Sequence, residues 1–334
     1  MKTQFTLKPF KLVDPAGPSI VTAGGSNGSF LVSLAGGEVQ RIFPSQNCET
    51  EKIRVGSRES VVGVYVSVFH AVLATSGADT FYLPLTSTTA IALPRLKASV
   101  VTCLAWGEES DESTAKFFVG CQNGKVFSVI IEAKKEKFVS LLCEFPERLV
   151  DILVVGSACY LSTSNSLFKV GLGGGSPVLI CESPVASLSN KLVAEDSSQI
   201  HWLTAVGIVT VAADLSHTVL AHSTILSVRA PVCKPEGEVH VFTPKSLVVT
   251  EFHFVVLYEE GKLAVVSKIA GGAAVSVLAT AQFGSKLSLL CEGRNSVYVY
   301  SDKRVFQMVR FAECILHKYF RPLPTNPPTL GCTI

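Results

Sequence analysis

The sequence predicts an all-β chain folded as a seven-bladed β-propeller, and three observations carry the prediction. Almost every segment of the 334 residues is a short run of Val, Ile, Leu, Phe, Tyr, Thr and Ser closed by Gly, Asn, Asp or Pro, the signature of strands. Turn clusters followed by an apolar strand recur at a nearly constant interval. The composition, 48% hydrophobic and 17% charged with a mean hydropathy of +0.40, is too apolar for disorder and sufficient for a large core.

The first observation extends along the chain. Between roughly residues 20 and 310 no stretch holds apolar residues at i, i+3, i+4 and i+7 over three turns without β-branched residues or turn breakers. The second is the repeat. Turns fall at Ala35-Gly36-Gly37-Glu38 before Val39, Gly77-Ala78-Asp79 before Phe81, Gln122-Asn123-Gly124-Lys125 before Val126 and Ser164-Asn165-Ser166 before Leu167. Three more stand at Ala213-Asp214-Leu215-Ser216 before Val219, Glu259-Glu260-Gly261-Lys262 before Leu263 and Ser301-Asp302-Lys303-Arg304 before Val305. With Gly37, Ala78, Gly124, Asn165, Asp214, Gly261 and Asp302 as markers, the intervals are 41, 46, 41, 49, 47 and 41 residues, each the length of one four-stranded blade. A lone antiparallel sheet cannot bury both faces, whereas sheets packed radially bury both and expose only short edges.

On this reading residues 1–19 close the propeller, 20–310 form its blades and 311–334 are a helical stub and a tail. The tail carries Pro322, Pro324, Pro327 and Pro328, which cannot continue a helix or a central strand. Two charged loops interrupt the pattern: the acidic Gly107-Glu108-Glu109-Ser110-Asp111-Glu112-Ser113 and the basic Ala133-Lys134-Lys135-Glu136-Lys137. Both are expected to be solvated hairpin tips, with contact to a partner as their other use.

Several function classes are disfavoured. Net charge is +2 without a block of like charge, so there is no electrostatic footprint for nucleic acid. The longest apolar run, Val61 to Ala74, is broken by Ser67 and His70 and is too short to span a membrane as a helix. The N-terminus lacks the apolar stretch of a secretory signal, because Gln4, Lys8 and Lys11 interrupt it, so a cytosolic location is expected. The ten cysteines (48, 103, 121, 143, 159, 181, 233, 291, 314 and 332) are dispersed without a C-x-x-C pair and read as reduced core thiols; a zinc site is disfavoured.

Most residues that could carry chemistry have a plainer structural role. Gly24-Gly25-Ser26-Asn27-Gly28 fits the G-x-S-x-G nucleophile elbow, but that motif needs a helix after the serine, and Ser29-Phe30-Leu31-Val32-Ser33-Leu34 reads as a strand. Asn27-Gly28-Ser29 is a glycosylation sequon that only an exported chain would use. Gly171-Leu172-Gly173-Gly174-Gly175 matches neither phosphate-binding glycine pattern and reads as a loop between blades. Of the histidines (70, 201, 217, 222, 240, 253 and 317), only His217 and His222 lie close in sequence, and strand geometry puts them on opposite faces. His253 reads as a hydrogen-bonded histidine within a strand. Asp111 with Glu112, and Glu259 with Glu260, fall in turns that do not fix them opposite one another. Trp106 and Trp202 read as packing anchors, and no W-D dipeptide or G-H signature places the repeat among ordinary WD40 motifs. The sequence therefore assigns no catalytic, cofactor-binding or metal-binding residue.

Particular strings carry a resemblance. Val61 to Leu83, ending Asp79-Thr80-Phe81-Tyr82-Leu83, and Val100-Val101-Thr102-Cys103-Leu104-Ala105-Trp106 are followed by Phe117-Phe118-Val119-Gly120-Cys121-Gln122-Asn123-Gly124-Lys125-Val126-Phe127. The last looks like a hydrophobic-Gly-Thr-x-x-Gly-x-Ile-Phe/Tyr strand-turn-strand. Thr250-Glu251-Phe252-His253-Phe254-Val255-Val256-Leu257-Tyr258 and Val297-Tyr298-Val299-Tyr300-Ser301-Asp302-Lys303-Arg304-Val305-Phe306 follow in order. Together these strings resemble the N-terminal propeller of the Pep3/Vps18/deep orange family, over roughly residues 20 to 310 and least between 170 and 245.

The resemblance implies a non-catalytic scaffold. It points to a subunit of the HOPS and CORVET complexes, which tether endosomal, lysosomal or vacuolar membranes before fusion. Its partners would be the other class C vacuolar sorting subunits, with peripheral membrane association through the complex, no nucleic acid and no small-molecule substrate. Family members continue into an α-solenoid and a RING; this chain stops at Ile334 without a zinc-binding cysteine pair, so no ubiquitin-ligase role is implied. Two rival readings remain: a propeller scaffold of a coat or nuclear-pore type of assembly, and a propeller hydrolase using Ser26 or carboxylates around the channel.

Overall fold

The computed structural model describes residues 6–11, 18–23, 29–34, 38–43, 49–97, 99–195, 199–225, 243–249, 253–259, 262–267, 277–282, 287–293, 296–301 and 304–309. Their strands pair into seven four-stranded antiparallel sheets. The first comprises Pro18–Ala23, Phe30–Leu34, Val39–Phe43 and Glu49–Ile53; the second Val61–Val66, His70–Thr75, Thr80–Pro84 and Ile91–Ala92. Val101–Trp106, Thr114–Cys121, Lys125–Glu132 and Lys135–Glu144 make the third, and Asp151–Val155, Ala158–Ser162, Ser166–Gly171 and Val178–Glu182 the fourth. Lys191–Ala194, Gln199–Leu203, Gly207–Ala212 and His217–Ala221 make the fifth, and Pro244–Val249, His253–Tyr258, Lys262–Ser267 and Val277–Gln282 the sixth. The last joins Leu287–Gly293, Ser296–Ser301 and Arg304–Val309 to the chain's first strand, Thr6–Lys11, in the register Thr6↔Val309 to Lys11↔Arg304.

The first strand of each sheet lies against the first strand of the next, and Leu287–Gly293 returns to Pro18–Ala23. The sheets therefore form a closed ring around an axis, a β-propeller. Helix among the described residues is confined to the 3₁₀ turn Pro94–Leu96 and the single turn His222–Ile225.

Burial on both faces explains the continuous apolar runs. Along His70–Thr75, Ala71 and Leu73 point into a core shared with the first sheet, and Val72 and Ala74 into one shared with the third. Phe117 and Val119 face the second sheet while Phe118 faces the fourth. Each buried Leu, Phe or Val side chain contributes about 1.5–3 kcal/mol relative to its exposed state. Equivalent cores lie between the fourth and fifth sheets and between the fifth and sixth.

The turn markers fall at equivalent places with one exception. Ala78, Gly124 and Asn165 each lie in the second hairpin of a sheet, and Ala78 and Gly124 take positive φ values of 64° and 80°. Gly37, Gly261 and Asp302 lie outside the described residues, but the strands flanking each pair as a second hairpin. Asp214 instead sits in the third hairpin of the fifth sheet, where its carboxylate accepts the backbone N–H of Ser216 at 3.0 Å. The second hairpin there is Thr204-Ala205-Val206-Gly207. It has no Asn or Asp, and the Thr204 hydroxyl oxygen accepts the N–H groups of Val206 and Gly207. A threonine does the same at Thr163, accepting Ser166 N–H, and at Thr75, accepting Asp79 N–H. This is an ST turn, weaker as a sequence signal than Asn-Gly.

Buried histidines tie neighbouring strands and sheets together. The Nε2–H of His222 donates to the Thr204 carbonyl at 2.8 Å, so Nδ1 is the acceptor for the Tyr258 hydroxyl at 2.9 Å. His70 is arranged alike: Nε2 donates to the Asp111 carbonyl of the third sheet's loop and Nδ1 accepts from Tyr82 at 2.8 Å. Neither ring has a free nitrogen for a metal.

Candidate interaction surface

Most chemistry-bearing residues singled out from the sequence are absorbed by packing. His217 is exposed at the start of a strand and His222 is buried in the turn after it, so the two do not converge. Trp106 packs edge-on against Phe117 with ring centres 5.4 Å apart, and Trp202 is fully buried between the fourth and fifth sheets. Cys103, Cys121, Cys143, Cys159 and Cys181 are buried and unbridged. Burial pushes the thiols of Cys121, Cys143 and Cys181 up to about 11, and those of Cys103 and Cys159 also upward, so they stay protonated and unreactive at neutral pH. Gly171–Gly175 forms the third turn of the fourth sheet, with Gly174 and Gly175 at φ values of 88° and 128°. Ser26, Asn27, Glu260, the side chain of His253, residues 311–334 and the remaining cysteine side chains lie outside the described residues. Among those described, no group of three His, Cys, Asp or Glu side chains is arranged to hold a metal, and no helix is long and apolar enough to cross a membrane.

One largely buried carboxylate escaped the sequence reading because Asp151, preceding Ile-Leu-Val-Val, looks like an ordinary turn residue. It opens the inner strand of the fourth sheet and is tied to the inner strand of the fifth: Oδ2 accepts the Leu192 N–H at 2.8 Å and Oδ1 lies 3.8 Å from Lys191 Nζ. Desolvation pushes its carboxyl above the ordinary range against the pull of Lys191. The folded state then holds this proton to higher pH than the unfolded chain, so stability falls as pH rises from the unfolded value, about 3.9, through the folded one. Asp151→Asn cannot ionise and should gain on wild type over that rise. Urea midpoints of both proteins measured from about pH 4 to 7 test this; a variant that loses ground on wild type as pH rises would refute it.

The two charged loops meet on one side of the ring. Successive strands alternate in direction, so the first and third hairpins of a sheet share a side, and Ala133 N–H reaches the Ser113 carbonyl at 3.4 Å. The acidic loop is largely engaged: Glu109 pairs with Lys116 at 2.6 Å, Glu108 accepts the N–H of Gly156 on the fourth sheet at 3.2 Å, and Asp111 caps Ser113 and Thr114.

Among the described residues, and apart from Val62, Val68 and Leu188 elsewhere, the exposed large apolar side chains lie on the outer strands of three consecutive sheets. These are Phe138 and Leu141 on the third, Val178 and Leu179 on the fourth and Val219 on the fifth, each about half exposed. The outer strand of the first sheet is instead polar, with Glu49, Thr50, Glu51 and Lys52 all exposed. Isolated exposed apolar residues are ordinary, but a series of them along consecutive outer edges is a feature of association surfaces.

The closed ring of sheets defines the class, a β-propeller, and solved structures agree. A chain of the mitotic checkpoint complex aligns with a TM-score of 0.66 at 10% identity, over 92% of this chain and 94% of that one. An H270A virginiamycin B lyase from Staphylococcus aureus aligns at 0.68 and 10%, over 92% and 100%. BamB from Moraxella catarrhalis aligns at 0.57 and 11%, over 91% and 99%. Such likenesses concern the fold alone. No curated protein sequence gives a significant match. Residues 3–168 and 178–310 match the Pep3/Vps18/deep orange beta-propeller domain, and the chain belongs to that family.

Proposed function

We propose that this propeller is a non-catalytic scaffold of a vacuolar sorting complex, holding subunits together at endosomal, lysosomal or vacuolar membranes in the manner of HOPS and CORVET. The observation that carries the reading is the family match across residues 3–168 and 178–310. Its support is chemical: the buried His70 and His222, the described thiols and the inner-strand carboxylate are committed to packing and hydrogen bonds, which leaves the outer surface for work. The chain acts in the cytoplasm as a peripheral membrane component, carried there by its partners.

Affinity purification of the tagged chain from its own cells, with mass spectrometry of what accompanies it, tests the proposal. The other class C vacuolar sorting subunits are the expected companions. Recovery of coat or nuclear-pore subunits in their place would overturn it in favour of a different assembly. In a broad esterase screen Ser26→Ala should change nothing, and a loss of activity in that variant would revive the hydrolase reading.

A further inference from the structure

We propose that the outer strand Lys135–Glu144 of the third sheet receives an extended acidic peptide segment of a protein partner, which adds to the sheet as a fifth strand. The inference rests on the scaffold reading and names where and how one partner docks.

An outer strand offers unpaired backbone N–H and C=O groups, and proteins ordinarily blunt such edges with charge, shortness or cover. The first sheet's edge is blunted by charge, through Glu49, Glu51 and Lys52. The second sheet's edge is only Ile91–Ala92, after which the chain turns away through Pro94–Leu96. The third sheet's edge is the longest strand among the described residues, ten residues, and pairs on one side only, with Lys125–Glu132.

Register shifts at Lys137 and Leu142 bracket a regular stretch in which Phe138, Val139, Ser140 and Leu141 pair with Ile130, Val129, Ser128 and Phe127. The head of the strand is closed off by the second sheet: Arg95 N–H donates to Glu136 and its guanidinium to the Lys137 carbonyl. Among the described residues, the stretch from Phe138 to Leu141 has no such cover. Phe138 and Leu141 are each 50% exposed, and their separation of three residues puts them on opposite faces. An added strand would thus find an apolar side chain to pack against on either face as well as a backbone ladder, the arrangement used in strand addition.

Charge selects the occupant. Ala133 and Lys134, at φ values of 48° and 65°, form the turn that presents Lys134 and Lys135 at the head of this edge. Of the neighbouring acids, Glu132 holds Lys137 at 2.6 Å, Glu136 accepts from Arg95 and Glu109 holds Lys116, while Glu112 and Glu144 form an ion pair with neither Lys134 nor Lys135. Neither Lys134 nor Lys135 has an acidic partner among the described residues, so the edge favours a segment whose carboxylates fall opposite that turn.

Hydrogen exchange on the full chain, alone and in the complex purified from its own cells, tests the proposal. The amides of residues 138–141 that exchange freely in the isolated chain should slow at least tenfold on assembly. Leu141→Lys should abolish that protection, and Val219→Lys, the matched change on the fifth sheet's edge, should leave it intact. Cross-linking from position 138 should identify a partner segment bearing Asp or Glu. An assembled complex in which these amides exchange as before overturns the docked strand and leaves the scaffold standing. A cross-linked segment without acidic residues overturns the choice of occupant. A chain that purifies without companions overturns the scaffold reading and the docked strand with it.

Discussion

Gly124→Ala should lower the stability of this propeller by about 3–5 kcal/mol, whereas Gly156→Ala, at a glycine that also has positive φ, should cost only about 1–2 kcal/mol. Gly124 turns the second hairpin of the third sheet at φ +80°, and a methyl there would lie 2.0 Å from the Phe145 carbonyl oxygen and 2.8 Å from that of Glu147. Both neighbours are backbone and cannot swing aside. Relief requires moving the connection to the fourth sheet, which also threatens the bond from Phe145 N–H to the Gly124 carbonyl at 2.9 Å. Gly156 has φ +56°, and a methyl there would meet nothing within 4 Å, so it isolates the conformational cost alone. Urea denaturation of the two variants separates the effects: equal losses would show that close approach at Gly124 contributes nothing.

That glycine also shows why the fold was legible. In the string Phe117 to Phe127 both glycines have steric reasons: Gly120 lies where a methyl would meet Cys103 Sγ at 2.5 Å, and Gly124 holds the turn. Burial of a sheet on both faces produces apolar runs without interruption, and seven such sheets in series produce the interval read from the turns. The fifth marker went astray because a threonine hydroxyl at Thr204 closes its hairpin in place of Asn or Gly, and the Asx turn at Asp214 one hairpin later carried the stronger signal.

The candidate surface was much less legible. Phe138 and Leu141 look like core residues of an apolar strand, and only the order of strands in the sheet places them on an outer edge. Asp151 shows the same limit from the interior. Its partners Lys191 and Leu192 belong to another sheet, and no local pattern announces a bond made across 41 residues of chain.

The packing between blades makes the second large prediction. Trp202→Ala should destabilise the protein by about 3–5 kcal/mol, the range for removing a large buried aromatic side chain. Trp202 is the largest fully buried side chain among the described residues, and its indole fills the space between the fourth and fifth sheets among Tyr160, Leu167, Ile200 and Val209. In a ring each sheet is held through its two neighbours, so a cavity at one interface weakens closure of the whole. Trp202→Phe discriminates volume from hydrogen bonding. The indole Nε1 has no acceptor among the described residues, so phenylalanine loses volume but also removes a buried donor whose burial without a partner costs about 1–3 kcal/mol. The phenylalanine variant should therefore retain most of the stability that alanine loses, measured by urea midpoints under identical conditions. If phenylalanine proves as damaging as alanine, Nε1 has a partner in solution and Trp202 holds the two sheets by a hydrogen bond as well as by its bulk.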